Sequence, residues 1–236
     1  MMNSIVVSAA SYVDFQSLGN ERTGLHPWPS AVDWAAGWDS LRWSDLFKSE
    51  CPRFGRADPL SKLALIAVEL LDLRFPDMPD SRRRNTGVCL DTRFGSLSAD
   101  LQFLQTGSPN VFTYTLPSTA IGEICIRHKL QGPVRCFVSA RAGTGTIIEE
   151  AVDLLGSGEA EACLCLHCDA LAFSAPPALS PAPGLDYGLA AAVFLENQTP
   201  GRKAPDNREL EIFSGAEWMA ACRQFCVDFK TNHVQA

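Results

Sequence analysis

The chain has 236 residues, 46% hydrophobic and 20% charged, which is enough apolar material for one large α/β domain with a substantial core. Its net charge of −7 disfavours nucleic acid as a partner. No apolar run reaches membrane-span length and Met1-Met2-Asn3-Ser4 puts no basic region ahead of its short apolar stretch, so no membrane association and a cytoplasmic location are expected.

Ile5 to Val13 is apolar and β-branched and suits a first central strand. Residues 24 to 56 hold Trp28, Trp34, Trp38 and Trp43; Ser30 reads as a helix cap after Pro29, which would put Trp34 and Trp38 on one face. This cluster is either a cap over the sheet edge or a partner surface. Leu60 to Leu73 is apolar at almost every step behind Pro59, so it predicts a helix buried on most sides. Ser81-Arg82-Arg83-Arg84-Asn85 reads as a loop, its arginines solvated or facing an acidic carrier protein.

Thr86 to Thr92 is the next strand, and Ser98 to Gln105 a short helix. Ser118 to His128 forms another helix, with Ile121, Ile124 and Cys125 at helical spacing behind Pro117. Gly132-Pro133 turns the chain into an apolar strand from Val134 to Ala140, and Thr144 to Leu155 is a helix ended by Gly156-Ser157-Gly158. A strand over 162 to 168, a proline-rich loop and a last strand from Tyr187 to Glu196 follow. Beyond these lie a polar linker and a tail, 197 to 236, in which Ala216 to Phe229 has helical spacing.

Cys163, Cys165 and Cys168 form C-x-C-x-x-C, a spacing that could suggest metal. In a strand, however, Cys163 and Cys165 share one face and Cys168 takes the other, with no Gly or Pro to turn the chain. They are expected to be buried small hydrophobes rather than ligands. Gly143-Thr144-Gly145 lacks the lysine and flanking glycines of a phosphate loop. No metal or other cofactor is expected.

The most informative stretch runs from Phe112-Thr-Tyr-Thr-Leu-Pro-Ser-Thr-Ala-Ile-Gly-Glu-Ile-Cys-Ile126 through Gly132-Pro133 to Arg141-Ala142-Gly143-Thr144-Gly145-Thr146. It resembles the heart of a β-ketoacyl synthase with the nucleophile missing. In that family a Tyr-Thr-Leu-Pro segment leads into a buried helix, a Gly-Pro turn and a strand ending in an elbow whose cysteine carries the acyl chain. Laying Ala140 to Gly145 on that elbow puts Ala142 at the cysteine position, with Arg141, Gly143, Thr144 and Gly145 as elbow backbone. A strand that runs straight into a helix aims first-turn amides and the helix dipole at this residue, which makes a cysteine there a thiolate. Ala142 keeps the backbone but offers nothing to attack with. Cys136 and Ser139 are poor substitutes, expected to be buried packing residues.

The resemblance further implies two catalytic histidines from a C-terminal half of similar fold. The chain has His26, in a loop before Pro27, His128 near a helix end, His167 in an apolar strand and His233 in the tail; none has the family's setting. The resemblance covers residues 1 to 196, a half domain, and implies a thiolase-like half fold: a mixed central sheet with helices on both faces.

Three functions are compatible with these features. The resemblance points first to a catalytically inactive chain-length-factor-like subunit in fatty acid or polyketide biosynthesis. Such a subunit would form a homodimer or pair with a ketosynthase subunit, and it could also meet an acyl carrier protein. Pairing would run through Val134, Cys136, Phe137 and Val138, an apolar strand without proline, together with the helix 118 to 128. The second is an acyl-transferring or hydrolytic enzyme using Cys136 or Ser139, and the third a stand-alone acyl or carrier-protein binding module.

Overall fold

The computed structural model describes residues 5–30, 32, 37–73, 75–138, 146–171, 187–197 and 222–224. Seven strands form one mixed sheet in the order β3-β2-β1-β7-β6-β4-β5. They are β1 (Ile5–Asp14), β2 (Ser17–Asn20), β3 (Gly24–Pro27), β4 (Thr86–Thr92), β5 (Val134–Val138), β6 (Ala162–Leu171) and β7 (Tyr187–Asn197). β4 runs parallel to both β5 and β6, and the remaining pairs are antiparallel.

The helices are α1 (Pro59–Leu70), α2 (Asp80–Arg84), α3 (Leu97–Thr106), α4 (Pro109–Phe112), α5 (Ser118–His128) and α6 (Thr146–Ser157). Parallel neighbours need a crossover. The chain therefore carries α5 between β4 and β5, and α6 between β5 and β6. α1 starts where its sequence says it should: Asp58 accepts the Ser61 amide at 3.0 Å, and Pro59 occupies the first turn.

Two cores flank the sheet. α1 and α5 pack on one face against Val88, Leu90, Leu164, Leu166, Ala192 and Phe194. α6 packs on the other against Cys89, Cys163, Cys165 and Val193. The expected mixed sheet with helices on both faces is thus present, and the cysteines divide as strand alternation requires, Cys168 lying in the first core. Even Lys62, on the buried helix α1, is enclosed, and its ammonium donates to the Trp38 carbonyl at 2.7 Å.

Some expectations are corrected. His26 is not in a loop but on β3, part of a hairpin whose short, polar strands Ser17–Asn20 and Gly24–Pro27 carry little apolar signal. The three arginines stand on a helix, α2, opened by Asp80. Arg82 pairs with Glu196 and Arg83 with Asp80, so neither is merely solvated. Trp38 and Trp43 are buried in the first core and Trp28 packs against it, which settles these three as cover for the sheet; Trp34 lies outside the described residues.

Candidate functional site

β5 ends at Val138, where the chain enters the segment 139–145. Ser139, Arg141, Ala142, Gly143, Thr144 and Gly145 all lie outside the described residues. The turn after β4 lies beside Val138, the end of β5. Asp169, at the end of β6, accepts the Arg93 amide at 2.6 Å, the Phe94 amide at 3.3 Å and the Thr92 hydroxyl at 3.1 Å. The Thr92 hydroxyl in turn accepts the Gly95 amide at 3.0 Å. Ser96 closes the other side by donating to the Thr115 carbonyl at 2.5 Å. The turn is therefore tied both to the sheet and to the segment leading into α5.

Gly95 has φ +56°, and a Cβ there would meet Pro117 at 3.1 Å and Val138 at 3.8 Å. The left-handed φ favours glycine here and Pro117, at the start of α5, would have to give way to a side chain, whereas Val138 would be in ordinary contact with it. Gly132 acts similarly below the strand, where a Cβ would lie 2.3 Å from the Thr86 carbonyl oxygen. The Gly-Pro turn seen in the sequence thus brings β5 against β4, and the Val88 amide donates to the Pro133 carbonyl at 2.9 Å.

Behind the turn stands a buried charge cluster. His167 hydrogen-bonds Asp91 through Nδ1 at 3.3 Å, and its Nε2 lies 3.3 Å from Asp169. Burial disfavours a charged imidazole, but the two carboxylates outweigh it and hold the His167 pKa above its ordinary value. His167 is wholly buried and links the C-terminal ends of β4 and β6 through Asp91 and Asp169. The signal that could have found this cluster was a carboxylate near the C-terminal end of each of two otherwise apolar strands.

The outer side of β5 is uncovered among the described residues, because β5 is the last strand in the sheet. Its register puts Arg135 and Phe137 beside Cys89 and Asp91, facing α6, where Arg135 pairs with Glu150 at 2.8 Å. Val134, Cys136 and Val138 share the α5 face with Val88 and Leu90. Val134 is 51% exposed, Val138 62% and Ile126 of α5 58%. Gly122, one turn before Ile126, has open space where a side chain would stand. Cys136, expected to be buried, is exposed because nothing described pairs the outer edge. Of the expected interface residues, the structure puts Val134, Cys136 and Val138 on one exposed face and turns Phe137 into the second core.

No nucleophile with an adjacent base stands among the described residues at this site. Desolvation and nearby Asp91 raise the Cys136 thiol pKa, which keeps it protonated at neutral pH. His128 is buried at the opposite end of α5 from Pro117, beside a cavity of about 520 Å³ between the C-terminal ends of α1 and α5. His26 is on the far edge strand and His233 lies outside the described residues. No cluster suited to a metal ion occurs among the described residues, and none of their helices is long and apolar enough to cross a membrane.

The model of the β-ketoacyl synthase N-terminal domain matches residues 38–172. The chain belongs to the β-ketoacyl synthase family. No functionally curated protein matches it. Among solved structures it is similar to the ishigamide ketosynthase/chain length factor, with TM-score 0.58 and 21% identity over 86% of this chain and 64% of that one. It also resembles a type II polyketide synthase structure, AntDE:AntF, in which an acyl-carrier protein is in complex with its hexaketide-bound ketosynthase. That match has TM-score 0.54 and 16% identity over 84% of this chain and 64% of the other. The chain therefore spans less than two thirds of these two relatives. A third likeness is to the complex of the ketosynthase ApeO with its chain length factor ApeC from Xenorhabdus doucetiae, TM-score 0.55 and 14% identity, covering 95% of this chain and 92% of that one. At these identities the likeness establishes a shared ketosynthase-like fold.

Proposed function

We propose that this protein is a non-catalytic, chain-length-factor-like subunit that pairs with a ketosynthase in polyketide or fatty acid biosynthesis. The observation that carries this reading is the edge of β5, unpaired among the described residues, where Val134, Cys136 and Val138 sit exposed beside the end of α5 that bears Ile126. A strand edge without proline is a template for another strand, and the one charge on β5, Arg135, is already paired with Glu150 on the other face. A partner chain that adds to it buries the apolar side chains and satisfies the free backbone groups together. The sequence supports the inactive half of the reading, since Ala142 stands at the position matched to the family's cysteine. With no side-chain nucleophile there, the elbow 141–145 would shape an acyl-binding surface instead of forming a bond. Any meeting with an acyl carrier protein would then be made by the assembled pair.

Co-expression with a ketosynthase from the same source, followed by size-exclusion chromatography with light scattering, tests this. The expected result is a stable complex containing one ketosynthase chain for each copy of this protein. A monomer that ignores the ketosynthase would sink the proposal and favour a stand-alone binding module.

A further inference from the structure

The cavity of about 520 Å³ between the C-terminal ends of α1 and α5 has the volume of a small-molecule pocket. Val68, Leu73 and the Phe75 ring give it apolar lining, and charged groups surround the rest. Its carboxylates are already engaged. Both oxygens of Glu69 accept from Arg127, at 2.9 and 3.0 Å, and Oε1 also accepts from Ser49 at 2.8 Å. Asp72 lies 3.5 Å from Arg22. The last-turn carbonyls, which would draw a cation, are partly capped: the Asp72 amide donates to the Glu69 carbonyl at 3.2 Å and the Leu130 amide to that of Cys125 at 3.0 Å. The positive groups have more to give. Arg83 pairs with Asp80, a carboxylate 73% exposed, and Lys129 is exposed and makes no ion pair among the described residues. With His128 neutral, Arg83, Arg127 and Lys129 stand against Glu69 and Asp72, an excess of one positive charge.

Two details distinguish this cavity from a packing gap. His128 lines it with a side chain only 7% exposed, yet its Nε2 has no hydrogen-bond partner, the Glu69 carboxylate at 3.9 Å being too far. Buried polar atoms left in this way are normally satisfied by water or by a ligand. Asp72 and Lys129, which also line the cavity, are the two non-glycine residues with positive φ among the described residues, at +48° and +56°. Glycine is the usual choice where a helix ends in this conformation. Both positions instead keep a charged side chain beside the cavity.

We infer that this cavity binds a small organic carboxylate, its charge held by Lys129 and Arg83, its oxygen accepting from the His128 imidazole, and its apolar body resting on Val68, Leu73 and Phe75. A single negative charge matches the excess of one positive charge, and a neutral donor beside two cations binds it without adding a further charge to be buried. The site lies at the opposite end of α5 from Pro117, so binding there does not depend on the pairing of β5.

The test is a titration of the full-length chain with benzoate, benzamide and inorganic phosphate at constant ionic strength, followed by ligand-detected NMR. Benzoate should bind saturably with a Kd of about 1 mM or tighter, and benzamide and phosphate at least about tenfold more weakly, because one lacks the charge and the other the apolar body. Lys129→Gly removes the ammonium at a backbone position that glycine prefers, so the variant folds, and it should weaken benzoate binding by about fivefold or more. His128→Phe keeps a ring against Phe75 without the donor and should weaken it similarly. No saturable binding of benzoate would overturn the inference. Equal binding of benzamide would remove the charge from recognition, and equal or tighter binding of phosphate would reduce the site to an exposed cation; either overturns it. So does a Lys129→Gly protein that binds benzoate as the wild type does.

Discussion

The hydroxyl of Tyr114 donates to Oε1 of Glu123 at 3.1 Å, and the Arg53 guanidinium donates to the same oxygen at 2.7 Å. Tyr114 belongs to the Tyr-Thr-Leu-Pro segment and Glu123 to the buried side of α5, so this bond fixes the approach of the segment to its helix. Tyr114→Phe leaves Glu123 with Arg53 and should cost about 1 kcal/mol. Glu123→Ala leaves the buried tyrosine hydroxyl without its acceptor while the half-exposed Arg53 guanidinium turns to water, and should cost about 2 kcal/mol. Urea unfolding followed by circular dichroism checks both; equal costs would show that the shared acceptor does not organise the segment.

β5 has one exposed face and one turned to the second core, and substitutions can divide the pairing proposed for the first from the packing of the second. Val138→Lys places a charge on the exposed face and should weaken the proposed pairing with a ketosynthase by at least about tenfold while leaving the melting temperature of the lone chain unchanged. Phe137→Asp instead sends a carboxylate into the second core and should lower stability by about 2 kcal/mol. Light scattering and thermal melts on both variants separate these effects. A Val138→Lys variant that pairs as well as the wild type would remove β5 from the interface.

The same reasoning limits what a single nucleophile could restore. Ala142→Cys should yield a thiol that takes up an acyl group from an activated thioester, visible as a mass increase. Carbon–carbon bond formation by the isolated chain should stay at background, because condensation also needs preorganised donors for the developing negative charge. None of the described histidines can supply them, since His167 is buried, His128 sits at the far end of α5 and His26 on the far edge strand. Condensing activity in the variant, or in the wild type, would overturn the non-catalytic reading.

Much of this was legible in the sequence because the strong elements announce themselves through burial. α1, β4, α5 and β6 are apolar at nearly every step or at one clear period, and the expected limits of α5 agree with the structure residue for residue. The hairpin of β2 and β3 was illegible because it buries little and is held by turn chemistry, with Asn20 accepting the Arg22 and Thr23 amides. The Asp91–His167–Asp169 cluster escaped for a different reason. Its members are 76 or 78 residues apart or separated by one position on a strand, and only the parallel register of β4 with β6 brings them together. Exposure of Cys136 likewise follows from strand order, which apolarity alone does not give.

His128 provides a pH signature of the packing between α1 and α5. It is buried against the Phe75 ring at 4.2 Å, and burial pushes its pKa down to about 4 despite Glu69 at 3.9 Å. In the unfolded chain it titrates near the ordinary histidine value of about 6.5. As pH falls below that value the unfolded chain takes up the proton first, so His128 weakens folding steadily down to pH 4, by about 3 kcal/mol in all. The other groups act elsewhere or in the opposite sense. Glu69, whose pKa its bonds to Arg127 and Ser49 lower against burial, loses its stabilising effect only at more acid pH. Glu21 and Asp58 have raised pKa values, mainly through burial, and favour folding as pH falls. His167, with its pKa raised, keeps its full effect in acid and loses it only towards alkali. Comparing wild type with His128→Phe, which keeps a ring against Phe75, isolates the one group. Between pH 6.5 and 5 the wild type should lose about 2 kcal/mol more than the variant in urea titrations. Parallel pH profiles for the two proteins would mean that His128 is solvated and that the ends of α1 and α5 do not close over it.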